Sequence, residues 1–177
     1  MEREIEVKIL NIDTDAFEEK LKLLGAEFVR KENQVNITIN SYKHPILKET
    51  GYLRIRVSET KGEIKKYFTF KENVSTKKVR DNIEHTVEID DEDELLKILE
   101  LLGYDDIYKG TKERTKYVYE GLTIDIDKWD EATYPYAYVE VEGPSINEIY
   151  SFVDKLEIDR ENISTLSIAE LKENLKK

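Results

Sequence analysis

Two glutamates and a lysine alternate near the start of the chain, in the segment EIEVK at residues 4–8. In a β-strand, Glu4, Glu6 and Lys8 lie on one face and the apolar residues between them lie on the other. Two carboxylates on one strand face repel each other unless bulk water or a shared cation separates them. This strand is therefore either a solvated surface or one wall of a cation site.

Charged residues of a single sign occupy one face of several further segments with strand-like alternation. Acids recur at 84–88, 125–127 and 140–142, and bases at 54–56, 71 and 112–116. A solvated surface usually mixes both signs, whereas a closed barrel whose apolar face points outward under helices would gather these residues into a charged lumen. Carboxylate oxygens suit Mg²⁺ or Mn²⁺, and arginine and lysine suit phosphate, so the pattern indicates phosphoryl chemistry.

The apolar spacing predicts the elements that would position these residues. Eight segments alternate as strands do, at 4–10, 34–40, 52–58, 65–71, 83–89, 111–119, 121–127 and 137–143. Four segments have helical spacing: one after the N-cap candidates Asp13 and Asp15, one across 90–103, and two that open with capping boxes at Ser145 and Ser167. Short connections between most strands favour antiparallel pairing.

The two halves of the chain resemble each other. A shift of about 78 residues places Ile5 on Ile83, Glu6 on Glu84 and the tripeptide Leu-Leu-Gly at 23–25 on the same tripeptide at 101–103. Each half is predicted to run strand–helix–strand–strand–strand. We therefore expect an α+β fold, an eight-stranded antiparallel β-barrel built from halves at about 1–78 and 79–150, with C-terminal helices in 145–177, as a single domain over 1–177.

Composition narrows the class of protein. The net charge of −11 disfavours a nucleic acid polymer or a membrane surface as partner. The chain has no cysteine, and its two histidines, His44 and His85, make a thiolate or imidazole metal site unexpected. No apolar run approaches the roughly 18 residues of a membrane helix, and the N-terminus lacks the apolar core of a signal peptide. These features predict a cytoplasmic protein.

The EIEVK segment is similar to the ExExK signature of the CYTH superfamily, the triphosphate tunnel metalloenzymes, which includes class IV adenylyl cyclases, thiamine triphosphatases and inorganic tripolyphosphatases. The similarity continues through LRIR at 53–56, TFK at 69–71, the Glu84 strand, KERTKY at 112–117, IDKW at 126–129 and VEVEGPS at 139–145. It implies an eight-stranded tunnel that binds a triphosphate and one or two divalent metals. Asn36-Ile37 and Ser167-Ile168 depart from the family's frequent residues, which bears on substrate choice.

The resemblance also implies roles for single residues. Metal binding, by Mg²⁺ or Mn²⁺, falls to Glu4, Glu6, Asp127, Glu140 and Glu142. Contacts to the phosphates fall to Lys8, Arg54, Arg56, Lys71, Lys112 and Arg114, with Glu84 placed in the same group as the acid of the middle strand. The catalytic group is Glu4, Glu6, Lys8 and Asp127, and Asp127 is the first choice as partner of the catalytic metal. Asp125 shares a strand face with Asp127 but matches the family less closely.

Other polar residues carry weaker signals. A buried, packed side chain is predicted for His85, and packing also for Tyr138 and Trp129. Lys116 and Glu88 are assigned either to the tunnel mouth or to solvent. The basic loop Lys77, Lys78 and Arg80 is either solvated or a flap over the tunnel mouth.

Three functions remain open from the sequence. The first is a metal-dependent enzyme acting on tripolyphosphate, ATP or thiamine triphosphate, most simply a hydrolase and alternatively a class IV adenylyl cyclase that makes cyclic AMP and pyrophosphate from ATP. The second is a non-catalytic binder of a polyphosphorylated ligand. The third is an acidic scaffold with solvated strands. A homodimer is possible for any of them.

Overall fold

The computed structural model describes residues 2–75 and 77–176. Its strands are β1 (Glu2–Ile9), β2 (Glu27–Asn40), β3 (Gly51–Thr60), β4 (Glu63–Ser75), β5 (Arg80–Glu88), β6 (Asp106–Tyr119), β7 (Leu122–Trp129), β8 (Tyr138–Glu142) and β9 (Ile163–Ser164). Its α-helices are α1 (Thr14–Leu23), α2 (Glu92–Leu101), α3 (Ile146–Lys155) and α4 (Ile168–Asn174). None of the described helices is long and apolar enough to cross a membrane.

Eight of the strands form a closed antiparallel barrel. Their order is β5-β4-β3-β2-β6-β7-β8-β1, and β1 pairs with β5 to complete the ring. Each half of the barrel runs strand–helix–strand–strand–strand, from β1 to β4 and from β5 to β8. The predicted α+β barrel with helices outside and the predicted order of elements are thus confirmed.

The short strand β9 continues the barrel wall beyond the start of β5. One edge of β1 pairs with β8, while its other edge pairs with β5 from Glu2 to Glu6 and then with β9 at Lys8 and Ile9. Strand β9 therefore pairs with β1 beyond the point where the pairing with β5 ends. The sequence did not predict β9 because two residues are too few to show alternation.

The apolar strand faces point outward and are covered by helices. Phe17 and Leu21 of α1 and Phe152 of α3 pack on the half that contains Val7 and Val139. Leu99 of α2 packs over the other half, on Ile37, Ile39 and Ile55. Because burial fixes the direction of every second side chain, the charged residues between them must face the lumen.

Strands β2 and β6 run well past the region where their apolar residues alternate. The predicted strand 34–40 is part of Glu27–Asn40, and residues 27–33 pair with β6 although most of them are exposed. The backbone pairing continues there without a buried face, so the apolar alternation that predicts a strand is absent.

The helix N-caps can be compared with the prediction. At α1 the N-cap is Asp13, which accepts hydrogen bonds from the backbone of Asp15 and Ala16. The predicted capping box at Ser167 is present. Ser145 is the N-cap of α3 as predicted, but there Glu148 accepts from the serine hydroxyl, so only the serine half of the box is formed.

The C-terminal helix α4 lies over one end of the barrel. Leu171 packs with Tyr134 and Tyr138, and Lys48, in the β2–β3 loop, forms an ion pair of 2.9 Å with Glu173. Residues of α4 line the same cavity as the charged strand residues. The helix therefore closes part of one tunnel end.

A buried carboxylate on β2 gives a prediction for stability. Burial alone would raise the pKa of Glu32, but the Arg30 guanidinium and hydrogen bonds from Gln34 and Ser58 lower that pKa to about 2. A lowered folded-state pKa means that the carboxylate stabilises the fold above the ordinary pKa and loses this effect as the pH falls toward 2. We expect Glu32→Gln to lower the free energy of unfolding by about 3 kcal/mol at pH 7 and by about half as much or less at pH 3.

Urea unfolding of both proteins at pH 7 and pH 3 measures this difference. Glu27→Gln is the control, because Glu27 lies on the same strand but is exposed, and it should change stability little at either pH. An equal deficit for Glu32→Gln at both pH values would contradict the assignment.

Candidate active site

A polar cavity of about 1020 Å³ runs through the barrel. Eleven of the twelve predicted site residues line it: Glu4, Glu6, Lys8, Arg54, Arg56, Lys71, Glu84, Lys112, Arg114, Glu140 and Glu142. The twelfth, Asp127, is fully buried in the wall behind them. The sorted charges of the sequence thus meet in one lumen.

The register of β1 determines which charges face each other. Val7 and Ile9 are buried in the outer core, so Glu6 and Lys8 point inward and are themselves less than a tenth exposed. Glu6 lies opposite Glu142 on β8, and Lys8 lies opposite Glu140. The Lys8 Nζ is 3.1 Å from a carboxylate oxygen of Glu140.

Lys71 is the centre of the first ionic cluster. Its ammonium group donates to the carboxylate of Glu4 and lies 3.2 Å from Glu84 Oε1, to which Arg54 Nη2 also donates at 3.3 Å. Burial opposes the charge of Lys71, but Glu6 and Glu4 raise its pKa. Burial likewise opposes the charge of Glu84, yet Lys71 and Arg54 lower its pKa. Both groups are therefore held in their charged forms.

Arg114 and Asp127 form the second and denser cluster. Arg114 donates from Nε and Nη2 to the two oxygens of Asp127 at 2.7 and 2.6 Å, and Lys112 Nζ donates to Asp127 Oδ2 at 2.8 Å. Arg114 also reaches Asp125 at 2.6 Å and Glu140 at 2.7 Å. Although burial opposes it, Arg114 and Lys112 lower the pKa of Asp127. Asp127 becomes available to a metal only if these two cations leave it.

Two aromatic residues fix the orientation of Asp127. Trp129 Nε1 donates to the hydroxyl of Tyr138 at 2.9 Å, and this hydroxyl donates to Asp127 Oδ2 at 3.1 Å. Tyr138 is also packed against Tyr134 and Leu171, as the packing prediction required. The hydrogen bonds add a role that the sequence indicated only by placing Tyr138 two residues before Glu140.

The acids at the other side of the lumen fit a divalent cation by their chemistry. Burial and, after it, the nearby charges of Glu4 and Glu6 together raise the pKa of Glu142 to about 7. Burial also raises the pKa of Glu4. Among residues 2–75 and 77–176, no three acidic or histidine side chains already converge as a metal cage. The donors are nevertheless hard oxygens whose mutual repulsion a Mg²⁺ or Mn²⁺ ion would relieve.

Arg56 differs from the other lumen cations. No carboxylate forms an ion pair with it in the described part of the chain, and its buried Nε has no hydrogen-bond partner there. Burial and the neighbouring charges of Arg54 and Arg114 lower its pKa to about 10. Its guanidinium is therefore a charged donor without an acceptor.

The remaining predictions have mixed outcomes. Lys116 lines the cavity and pairs with Asp125 at 3.2 Å, whereas Glu88 is exposed. The prediction for His85 is wrong: its side chain is 48% exposed and lies 3.4 Å from Glu72. Its strand face is apolar, but the helices do not cover this end of β5, where Val87 is also exposed.

Arg80 is a lumen residue that the sequence reading missed. Lys77 and Lys78 are exposed as a solvated loop would be, but Arg80 is the first residue of β5 and is only 5% exposed. It lines the cavity. The signal was available, because Arg80 lies two and four residues before Asn82 and Glu84 and thus shares their strand face.

Comparison with known proteins agrees with this architecture. The model of the CYTH domain matches residues 2–168, so the chain belongs to the CYTH domain family. A candidate adenylate cyclase of Methanocaldococcus jannaschii, MJ0240, is 27% identical over 177 residues, covering 96% of this chain and 98% of that protein.

Solved structures are similar over almost the whole chain. The PH1819 protein of Pyrococcus horikoshii OT3 has a TM-score of 0.74 and 30% identity, covering 97% of this chain and 98% of that one. HpAC1 of Hippeastrum, described as a candidate adenylyl cyclase with a dominant triphosphatase activity, has a TM-score of 0.66 and 15% identity, covering 94% and 91%. At that identity the second likeness supports the fold alone.

Proposed function

We propose that this CYTH-domain protein is a divalent-metal-dependent enzyme that acts on a triphosphate held in the tunnel, and that it hydrolyses an inorganic or organic triphosphate. The observation that carries this proposal is Arg56, a guanidinium inside the lumen with no counter-ion among the described residues. A buried, charged donor without an acceptor is costly unless an anion completes it. A phosphate group is such an anion, and its oxygens match the guanidinium fork.

The other cations extend the anion site around the lumen. Lys8, Lys71, Lys112 and Arg114 each hold carboxylates by ion pairs in this structure. A bound triphosphate offers these cations stronger partners and frees carboxylate oxygens of Glu4, Glu6 and Glu140. Glu142, opposite Glu6 on β8, adds its own oxygens. These oxygens would hold Mg²⁺ or Mn²⁺, which when bound neutralises charge on the phosphates and lowers the pKa of a bound water. The chain's own contribution is to position the phosphates and to balance the charge that develops on them.

Hydrolysis requires fewer positioned groups than cyclisation, and we therefore prefer it. Attack of water on the terminal phosphorus requires only the cations and carboxylates already described. Cyclisation of ATP requires in addition that the ribose 3′-oxygen be held against the α-phosphorus. The resemblance to the M. jannaschii candidate adenylate cyclase keeps this as the second candidate.

A substrate panel tests the proposal. Tripolyphosphate, ATP and thiamine triphosphate are incubated with the protein and Mg²⁺ or Mn²⁺, and orthophosphate, pyrophosphate and cyclic AMP are measured. We expect orthophosphate release that EDTA abolishes. Pyrophosphate with cyclic AMP would establish the cyclase instead, tight binding without turnover would establish a binder, and neither binding nor turnover would contradict the proposal.

A further inference from the structure

Arg80 occupies a junction in the barrel wall. It begins β5, lies opposite Glu6 on β1, and is followed along the β1 edge by β9. Its side chain is buried and lines the cavity. Lys78, two residues earlier, is exposed. Of the basic residues in this segment, Arg80 therefore faces the lumen and Lys78 faces solvent.

The contacts of Arg80 leave its guanidinium poorly satisfied. The ion pair nearest to it is with Glu6 Oε1, 3.7 Å from Arg80 Nε, which is too long for a hydrogen bond. Glu6 is also 3.7 Å from Lys8 Nζ, so its charge is shared loosely between two cations. In the described part of the chain the buried Nε of Arg80 has no hydrogen-bond partner.

Asn82, the next residue on the same strand face, is also unsatisfied. It is fully buried, and neither its amide nitrogen nor its amide oxygen has a hydrogen-bond partner among the described residues. Nearly all buried polar side chains in proteins are paired. Of these two unpaired groups only Arg80 lines the cavity, so its guanidinium is the one that an anion in the lumen can reach.

We propose that Arg80 is a further anion-binding residue of the tunnel and binds a phosphoryl oxygen of the triphosphate beside Glu6. This inference rests on the proposed function and deepens it. It adds β5 to the strands that supply phosphate-binding cations, which by the family resemblance are β1, β3, β4 and β6. A phosphate is the fitting occupant because a guanidinium donates two parallel hydrogen bonds to it, while the carboxylate of Glu6 stays too far away to compete.

The test is the binding of tripolyphosphate measured by calorimetry, with EDTA and separately with Mg²⁺. The proteins are the wild type, Arg80→Ala, Arg80→Lys and the matched control Lys78→Ala, which removes the same charge from the exposed part of the loop. We expect Arg80→Ala to raise the Kd about tenfold or more in both buffers, the size of effect given by a hydrogen bond between charged groups. The Kd of Arg80→Lys should lie between those of the wild type and Arg80→Ala, since lysine keeps the charge but loses the forked donor. The Kd of Lys78→Ala should match that of the wild type.

Thermal unfolding without ligand shows whether each variant folds. If Arg80→Ala does not fold, the Kd of Arg80→Lys is compared with that of the wild type instead. Equal Kd values for the Arg80 and Lys78 variants would overturn the proposal. A change only in the Mg²⁺ concentration needed for binding would also overturn it, since Arg80 would then serve Glu6 instead of the phosphate. If the wild type itself failed to bind tripolyphosphate, the proposed function would fail and this inference with it.

Discussion

Arg56→Ala is expected to lower kcat/KM for the triphosphate by about 100-fold or more, while the free energy of unfolding stays the same or rises. The two effects separate because Arg56 has no carboxylate partner in the described structure. Its removal leaves no orphaned counter-ion, and it relieves repulsion from Arg54 and Arg114. Activity falls because the phosphate loses a fork of donors that no neighbour replaces.

Steady-state kinetics and urea unfolding on the same preparations measure both quantities. Arg56→Lys keeps the charge and should recover part of the activity. Arg160→Ala removes an exposed arginine far from the lumen and should change neither quantity by much. A variant at Arg56 that loses stability but keeps its kcat/KM would show that the residue is structural.

Asp127→Ala is expected to be the most damaging single change in the tunnel. Asp127 is fully buried and accepts hydrogen bonds from Lys112, Arg114 and Tyr138. Without it these buried cations lose their main partner, and breaking such a pair typically lowers stability by about 3–5 kcal/mol. Activity should fall as well, because the phosphate-binding ends of Lys112 and Arg114 lose their positions.

This prediction also separates two roles for Asp127, metal ligand and positioning residue. A positioning role predicts that excess Mg²⁺ or Mn²⁺ does not restore the activity of Asp127→Asn. The contrasting variant is Glu142→Gln. The raised pKa of Glu142 means that the carboxyl group favours folding while protonated and loses this contribution as the pH rises through about 7. Glu142→Gln should therefore be more stable than the wild type at pH 8 while needing a higher metal concentration for activity.

Rescue of the activity of Asp127→Asn by excess metal would instead favour the role of Asp127 as a metal ligand.

The fold was predictable because one signal repeats through the chain. In β1, Val7 and Ile9 must be buried, and this alone turns Glu6 and Lys8 to the opposite face. The same rule held for β3 with Ile55 and for β8 with Val141. The closing pair β1–β5 joins strands more than 70 residues apart, so local pattern could only suggest it through the idea of a lumen.

The depth and partners of each charge were not predictable. Asp125 and Asp127 look alike in the sequence, but Asp125 lines the cavity whereas Asp127 lies behind it and accepts hydrogen bonds from Lys112 and Tyr138. Arg80 was grouped with Lys77 and Lys78 because charge runs are judged by composition, although alternation had already begun at Arg80. For His85 the apolar face was identified correctly, yet its burial depends on whether a helix covers that end of the strand.

The pairing of β9 with β1 bears on whether two copies of the protein can pair through an open strand edge. Among the described residues, Ile163 and Ser164 pair with the β1 edge beyond Glu6, at Lys8 and Ile9, and the Asn162 carbonyl accepts from the backbone of Leu10. Loss of this short segment would leave donors and acceptors of β1 free, and unpaired strand edges are sites where chains join by strand addition. Strand β9 therefore covers an edge of β1 that would otherwise be open to strand addition.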